Sequence, residues 1–336
     1  MARKAGLSLW SHTLGRAVGA AARSTLRTGK AAVEQTLRSV RKSRQPPPGS
    51  GEWITGLALA TAGMRRFKLF KPPGTTASER LPLLVMLHGC GQDATSFATS
   101  TRMNRVAARE RFLVLYVEQD RSANPQGCWN WFSTKSGQAF AEAALVVAAI
   151  DQVCLLYPAD QARVGIAGLS AGASMSALLA TRYPGRFRAI VMHSGIAPGV
   201  ADSTLTALGA MRGRREPLGP AVAANSSLPW PPLLVIHGAL DRVVAANNAR
   251  AATELWADTA GAKATASRRM QRGKRYASTW THYRVRRKTV ATLCEIDGLG
   301  HAWSGGDSAH PFGDAAGPDA SRLIWSFVAK QFRTLD

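Results

Sequence analysis

A serine between two glycines is the residue best placed for chemistry in this sequence. Residues 168–172 read Gly-Leu-Ser-Ala-Gly, and they separate an apolar run that ends at Ala167 from a stretch with helical periodicity. A sharp strand-to-helix turn here lifts a serine oxygen above the sheet, and flanking glycines tolerate the strained backbone. A glycine-rich turn with a solvated serine is the alternative. The strand-to-helix context favours Ser170 as a nucleophile.

A carboxylate and a histidine follow Ser170 in the order that this geometry requires, each on a loop after a strand. Asp241 follows the apolar run 233–236, and His301 follows a run that ends at Ile296. In such a set the histidine takes the serine proton as general base, and the carboxylate orients the imidazole. We therefore predict a triad of Ser170, His301 and Asp241, with activity that rises through about pH 6 to 7 as the histidine becomes neutral.

These roles have alternatives. Asp241 could instead cap the helix that follows it, and Asp202 or Asp297 could supply the carboxylate. The remaining histidines are predicted to make local hydrogen bonds or to lie in solvent: His88, His193, His237, His282 and His310. Of these, His193 is also a candidate for lining the site, although a structural role is favoured.

A glycine-bearing loop could supply the oxyanion hole. Residues 88–92 read His-Gly-Cys-Gly-Gln and follow the apolar run 83–87, so their backbone N–H groups can approach the nucleophile. Such a hole commonly combines one of these groups with the N–H of the residue after the nucleophile. The predicted donors are the backbone N–H groups of Cys90 and Ala171.

The elements that must position these residues alternate along the chain. Continuous apolar runs predict strands that are covered on both faces, at 83–87, 112–117, 164–167, 189–192 and 233–236. Helical periodicity marks residues 139–156, 174–182 and 247–260. This alternation favours parallel strands with crossover helices. Together with the turn at Ser170, it predicts an α/β-hydrolase fold, a mainly parallel sheet with helices on both faces, preceded by a basic N-terminal segment.

The head of the 336-residue chain differs in composition from the rest. Residues 1–45 hold ten Lys and Arg against one acidic residue, with apolar residues at helical spacing, and a proline-rich stretch follows. We predict residues 1–51 as a basic amphipathic or disordered segment with its linker, and residues 52–336 as the catalytic domain. The apolar residues of this segment are Leu7, Trp10, Leu14 and Val18. Such a segment could dock on a polyester granule, anionic lipid or nucleic acid.

The net charge of +22 implies attraction to polyanions. A second basic cluster lies at residues 263–288, whose later part is predicted to be a hairpin with Arg287 and Lys288 at its turn. Because no nucleic-acid-binding motif accompanies the charge, we predict only nonspecific, salt-sensitive contact with nucleic acid and no specific recognition.

The apolar stretches and the cysteines of the sequence indicate in which cellular compartment the protein is expected. No stretch is read as a signal-peptide core or a transmembrane segment, so a cytoplasmic protein, associated in one reading with storage granules, is predicted. In a reducing compartment the four cysteines should be thiols. Their spacing matches no zinc site, and no metal or organic cofactor is predicted.

Four motifs together resemble the esterase family that includes polyhydroxybutyrate depolymerases, with feruloyl and acetylxylan esterases as wider relatives. They are residues 88–92, the aromatic run 127–132, the serine turn with Met175, and residues 298–306. The resemblance covers about residues 55–333 and implies the same triad as above. The chain departs from many extracellular members in its basic head and basic insertion, and in showing neither their signal peptide nor their surface-binding domain.

The resemblance also places three tryptophans near the site, where Trp129, Trp131 and Trp303 would form an apolar wall for substrate or, equally, belong to the core. Cys90 and Cys128 lie in loops beside the site, and a disulfide between them is a further hypothesis.

The sequence therefore predicts a serine esterase that hydrolyses polyhydroxyalkanoate polymer, oligomers or related short acyl esters. The alternatives are a carbohydrate-linked ester esterase of the feruloyl or acetylxylan type, a peptidase on the same fold, and a catalytically vestigial basic protein that binds granules or nucleic acid.

Overall fold

The computed structural model describes residue 47 and residues 49–217 and 228–333. The segment predicted for residues 1–45 lies outside the described residues, so its helix and its docking role stay predictions. The first strand of the described part begins at Glu52.

One sheet of eleven strands forms the framework of the described part. Its strands are β1 (Glu52–Ala60), β2 (Gly63–Lys71), β3 (Leu81–Leu87), β4 (Leu113–Val117), β5 (Ala159–Leu169), β6 (Ala189–His193), β7 (Leu233–Gly238), β8 (Lys263–Ala264), β9 (Arg268–Met270), β10 (Ser278–Val285) and β11 (Lys288–Ile296). Their order across the sheet is β1-β2-β4-β3-β5-β6-β7-β11-β10-β8, with β9 also paired to β10. Two short strands, β12 (Trp303–Ser304) and β13 (Gly313–Asp314), pair separately.

The sheet is parallel at its centre and antiparallel at both edges. The neighbours from β4 to β11 pair in parallel, whereas β1 and β2 at one edge and β8, β9 and β10 at the other pair antiparallel. Because the central strands are parallel, their carboxyl ends share one edge of the sheet, where loops can converge on a site.

Helices cover both faces of the sheet, as the sequence predicts. They are α1 (Ala94–Thr101), α2 (Met103–Glu110), α3 (Gln138–Leu156), α4 (Ala171–Arg182), α5 (Thr204–Met211), α6 (Asn247–Thr259) and α7 (Ala320–Phe332). Alternate residues of β3 enter different cores: Leu83 and Val85 pack with α3, α4 and α6, and Leu84 packs with α1, α2 and α7. This alternation follows from the twofold side-chain period of a strand.

The long apolar helix α3 is the one described helix that could cross a membrane by length and composition, with a mean hydropathy of 1.9. It packs on the sheet, and its buried residues, including Ala143, Val146 and Ile150, belong to one of the two cores. A core helix of a folded domain has the same composition, so this helix is weak evidence for a membrane span.

Two local predictions need correction. The helix expected from residue 174 begins at Ala171, directly after the serine. The hairpin turn expected at Arg287 and Lys288 lies at Arg286 and Arg287, because Val285 pairs with Lys288 and leaves a two-residue loop. Arg286 has a φ of 52° there, a conformation that the basic composition does not signal.

Candidate active site

Ser170 lies on a tight turn between β5 and α4, with φ 55° and ψ −121°. A positive φ costs a residue with a side chain about 1–3 kcal/mol, so the surrounding structure must hold this turn. The Ser170 N–H donates to the His193 carbonyl at 2.9 Å, which ties the turn to the end of β6.

The glycines on either side of Ser170 are required by close packing. A Cβ on Gly168 would collide with the carbonyl group of Gly172, and a Cβ on Gly172 would collide with the Leu87 carbonyl at the end of β3. The turn thus fits against the loop that follows β3 only because both positions lack side chains.

The structure brings Ser170, His301 and Asp241 into one hydrogen-bonded chain. The Ser170 Oγ lies 3.0 Å from His301 Nε2, and His301 Nδ1 lies 2.7 Å from Asp241 Oδ2. These residues follow β5, β11 and β7, three parallel strands whose carboxyl ends lie near one another. The serine hydroxyl can donate to a neutral imidazole whose other nitrogen donates to the carboxylate.

Asp241 is held by its own loop as well as by His301. Its Oδ1 accepts the N–H groups of Val243 and Val244, both at 2.9 Å, and its side chain is fully buried. Burial by itself raises the pKa of Asp241, but the His301 hydrogen bond and the Val244 N–H outweigh it and hold the pKa below its usual value. The group therefore remains an oriented carboxylate.

The competing acids lie elsewhere. Asp202 pairs with Lys135 at 2.6 Å, and Asp297 pairs with Arg269 at 2.5 Å. Neither forms a hydrogen bond with His301. Asp241 also does not cap α6, whose cap residue is Ala246.

The other buried histidines have local partners. His193 Nε2 accepts the Ser304 N–H at 3.1 Å, and its ring stacks on Trp303. His237 Nε2 lies 2.9 Å from the Val244 carbonyl, which braces the loop that carries Asp241. His193 is wholly buried, so it supports the site from behind and does not line it.

Cys90 and Ala171 offer backbone N–H groups beside Ser170. All three residues line the same cavity. Within the described residues, no hydrogen-bond acceptor takes up either N–H. Two free donors next to a nucleophile can bind a developing oxyanion.

His88 fixes the peptide that carries the Cys90 N–H. Its Nε2 accepts the Gln119 N–H at 3.1 Å, so the neutral ring carries its proton on Nδ1, which lies 2.9 Å from the Gly89 carbonyl. That carbonyl belongs to the same peptide group as the Cys90 N–H. Burial lowers the pKa of His88 to about 4, so the ring is neutral at physiological pH and the peptide is held in one orientation.

A disulfide joins Cys90 to Cys128, which overturns the expectation of four thiols and agrees with the pairing hypothesis. Cys154 and Cys294 are free. The bridge ties the loop after β3 to the segment that carries Trp129. The Trp129 indole N–H also donates to the His88 carbonyl at 3.1 Å, so the two segments are joined twice.

The cavity beside Ser170 has a volume of about 280 Å³ and a mostly apolar wall. Trp129 and Trp131, for which the sequence left a substrate wall and a core position open, line it, and so does Phe132. Trp303 does not: it is wholly buried between Phe97 and His193, and its indole N–H donates to Ser321. Trp303 therefore belongs to the core, because the chain turns inward after His301.

Sequence reasoning missed the wall opposite the tryptophans. That wall comprises Ile196, Thr204, Ala207, Leu208, Met211 and Val244. Ile196 and Val244 follow β6 and β7, so the rule that loops after parallel strands meet at one edge could have found them. The others lie on α5, whose position no sequence pattern signals.

Among the described residues, no group of three or more His, Cys, Asp or Glu side chains could hold a metal ion. The arrangement that remains is a nucleophile, a base, an oriented carboxylate and two free N–H donors beside an apolar cavity. That set of groups can transfer an acyl group.

Known proteins with similar sequences include one named as a depolymerase and others named as esterases. Poly(3-hydroxyalkanoate) depolymerase C of Paucimonas lemoignei is 29% identical over 199 residues, which are 54% of this chain and 45% of that protein. Feruloyl esterase B of Neurospora crassa is 28% identical over 195 residues, 53% of this chain and 65% of that protein. The chain thus spans about half to two thirds of the length of these relatives.

Solved structures show the same fold. An acetyl xylan esterase from Aspergillus awamori superposes with a TM-score of 0.59 at 19% identity, covering 75% of this chain and 94% of that one. S-formylglutathione hydrolase from Staphylococcus aureus gives 0.52 at 14% identity, covering 85% and 99%. At these identities the likeness establishes the α/β-hydrolase fold alone.

A family model described as esterase PHB depolymerase matches residues 65–276, which include Ser170 and Asp241. The match spans well over half of the chain, and it agrees with the motifs, the fold and the arrangement around Ser170. The chain therefore belongs to the esterase PHB depolymerase family.

Proposed function

We propose that the protein is a serine esterase in which Ser170, His301 and Asp241 act as a catalytic triad. The observation that carries this proposal is the hydrogen-bonded chain from Ser170 Oγ through the His301 ring to Asp241. The Ser170 end of this chain lies at an apolar cavity. A solvated serine on a glycine-rich turn would need neither an aligned histidine nor a buried carboxylate behind it.

The mechanism follows from this geometry. Ser170 Oγ attacks the ester carbonyl while His301 Nε2 takes its proton, and Asp241 stabilises the imidazolium. The carbonyl oxygen becomes an oxyanion that accepts from the N–H groups of Cys90 and Ala171. His301 then gives the proton to the leaving alkoxide. Water, deprotonated by His301, releases the acyl group from Ser170, and no step requires a metal or organic cofactor.

The substrate class that we favour is polyhydroxyalkanoate polymer, its oligomers, or related short acyl esters. A cavity of about 280 Å³ with an apolar wall suits a short branched acyl group. The relative named as a poly(3-hydroxyalkanoate) depolymerase supports this choice.

A feruloyl or acetylxylan type of esterase is the second candidate. The aromatic wall of Trp129, Trp131 and Phe132 could stack on an aromatic acyl group, and relatives carry both esterase names. Turnover of hydroxybutyrate oligomers against feruloyl and acetyl sugar esters, at matched concentrations, would decide between these classes.

The triad is tested by replacing Ser170 with alanine. Loss of a triad nucleophile typically lowers kcat by on the order of a million-fold, and labelling by a fluorophosphonate should vanish with it. Ser122→Ala, in an exposed loop where the hydroxyl donates to Asp120, is the matched control and should keep full activity. A folded wild type that neither turns over esters nor labels would leave the vestigial binding protein as the better hypothesis.

The location that we propose is the cytoplasm, with association to storage granules. The Cys90–Cys128 bridge weighs against it, because structural disulfides are rare in reducing compartments. Cell fractionation combined with trapping of free thiols tests the location. A cytoplasmic protein that carries two trapped thiols, with the bridge intact, would require protection of the bridge from cellular reductants.

A further inference from the structure

A groove lined by arginines lies apart from the serine site. Two adjoining recesses form it, of about 200 and 290 Å³, and they share Arg275, Asp319 and Arg322. None of the residues that line either recess lines the cavity beside Ser170. We call the pair the arginine groove and its parts the arginine recess and the apolar recess.

The arginine recess carries far more positive than negative charge. Five arginines line it together with a single carboxylate, that of Asp319. This carboxylate is already engaged, since it pairs with Arg322 at 3.3 Å and caps α7. The arginines are Arg102, Arg105, Arg109, Arg275 and Arg322. Placing several positive charges around one recess is unfavourable unless a bound anion reduces their mutual repulsion.

Several guanidinium groups of the groove lack an acidic partner. Within the described residues, the Arg105 and Arg272 side chains form no ion pair, and Arg275 donates to the Gly317 carbonyl. Arg102 pairs with Asp307, yet its Nε is buried without a hydrogen-bond partner. Guanidinium groups with spare donors are well suited to bind phosphate oxygens.

The apolar recess adjoins these charges. Its walls include Met270, Tyr276, Trp280 and Leu323, and arginines stand around them. The indole N–H of Trp280 has a hydrogen-bond partner, since it donates to Ser278 Oγ at 3.0 Å. Aromatic residues with one apolar and one polar end, flanked by arginines, are typical of surfaces at the boundary of lipid and water.

We propose that the arginine groove docks the protein on an anionic phospholipid surface. The headgroup phosphate binds in the arginine recess, and the glycerol and first acyl carbons pack in the apolar recess. A free phosphate ion would use only the first recess. A nucleic acid would need flat exposed faces for its bases, whereas Met270 and Leu323 make the second recess partly aliphatic.

The test compares two variants with the same loss of charge. In the groove variant, Arg105, Arg272 and Arg275 become glutamine. In the control variant, three exposed arginines at the other end of the β10–β11 hairpin, Arg284, Arg286 and Arg287, become glutamine. Both full-length variants keep residues 1–45, so any contribution of that basic segment cancels.

Partitioning is measured with phosphatidylglycerol-containing vesicles and with vesicles of phosphatidylcholine alone. Each basic residue near an anionic surface contributes about fivefold, so the groove variant should bind the anionic vesicles about 100-fold more weakly than the control variant. The wild type should bind phosphatidylcholine weakly. Hydrolysis of a soluble ester should be equal in all three proteins, which separates this proposal from the esterase proposal.

Leu323→Gln, which keeps the charge, tests the apolar recess and should weaken vesicle binding without changing affinity for a single-stranded oligonucleotide. The proposal is overturned if the groove and control variants bind vesicles equally. It is also overturned if the groove variant loses only oligonucleotide or inorganic phosphate binding.

Discussion

The serine site and the arginine groove both present unpaired hydrogen-bond donors, but of opposite kinds. At the serine site the free donors are two neutral backbone N–H groups, on Cys90 and Ala171, held by a disulfide and tight glycine packing. In the groove they are charged guanidinium groups, most of them on exposed side chains such as those of Arg105 and Arg272. Fixed neutral donors favour an oxyanion that exists only during reaction, whereas crowded cations favour a lasting anionic partner.

After loss of the nucleophile itself, the largest expected effect at the serine site comes from its buried carboxylate. Asp241→Asn should lower kcat by about 10⁴-fold, because the amide no longer fixes the correct His301 tautomer. Asp202→Asn and Asp297→Asn, which change surface acids paired with Lys135 and Arg269, should leave kcat almost unchanged. Steady-state kinetics on a soluble ester checks all three. Equal kcat in wild type and Asp241→Asn would remove Asp241 from the mechanism.

The rigidity of the serine site is tested next, at the disulfide. Cys128→Ser opens a bridge between residues 38 apart in sequence, so the free energy of unfolding should fall by about 3 to 4 kcal/mol. Urea denaturation measures it, with Cys154→Ser, which removes a free and partly buried thiol, as the control. A thiol count that is the same with and without reductant would contradict the bridge itself.

Acid should act on the region behind the serine site through its buried neutral histidines, because burial lowers the pKa of His88, His193 and His237. Burial lowers the pKa of His88 to about 4 and that of His193 to about 3, whereas a histidine in the unfolded chain titrates near 6.5. The unfolded chain therefore binds more protons below about pH 6.5. Stability is complete above that value and is lost as the pH falls toward 4 and then 3.

Each of these histidines contributes about 1.4 kcal/mol per pH unit inside that window. Lowering the pH from about 7 to about 5.5 should thus cost about 2 to 3 kcal/mol in urea denaturation. His193→Gln should remove about 1 kcal/mol of this loss. A pH-independent unfolding free energy would show that the buried rings take up protons as freely as the unfolded chain does.

The smallest expected effect concerns the loop after β3, where His88 holds the peptide that carries the Cys90 N–H. His88→Leu removes the hydrogen bond to the Gly89 carbonyl, so the Cys90 N–H loses its fixed direction and kcat should fall about 10-fold or somewhat more. A positioning role predicts weaker binding of a boronic acid transition-state analogue with little change in KM. His282→Leu, remote from the site and bonded to Thr292, is the control and should change neither quantity.

The central strands were predictable because they are buried on both faces and therefore read as unbroken apolar runs, such as 83–87 within β3. The outer strands β1 and β2 were not predicted, since neither forms an unbroken, doubly covered apolar run: Leu57 and Leu59 of β1 are exposed, and Arg and Lys residues interrupt the apolar residues of β2. The site residues Ser170, Asp241 and His301 were predictable for a different reason: a strained turn and a fixed strand order leave traces in local sequence.

Trp303 shows where that reasoning failed. Its motif suggested a place on the substrate wall, yet neighbouring residues of one motif can face opposite directions, and Trp303 packs against His193 in the core. The part of the cavity wall that α5 supplies was not predicted either. Where a short helix packs over a site depends on distant elements and not on its own residues.

The sequence by itself determined the central strands with three of the helices between them, the turn at Ser170 and the types of the reacting groups, because burial and backbone strain select residues locally. Only the tertiary structure decided the rest: which acid reaches His301, that Cys90 meets Cys128, which tryptophans line the cavity, and that arginines from α2, α7 and the segment after β9 surround one groove. These outcomes depend on distances between residues far apart in the chain, and only packing of the whole domain sets those distances.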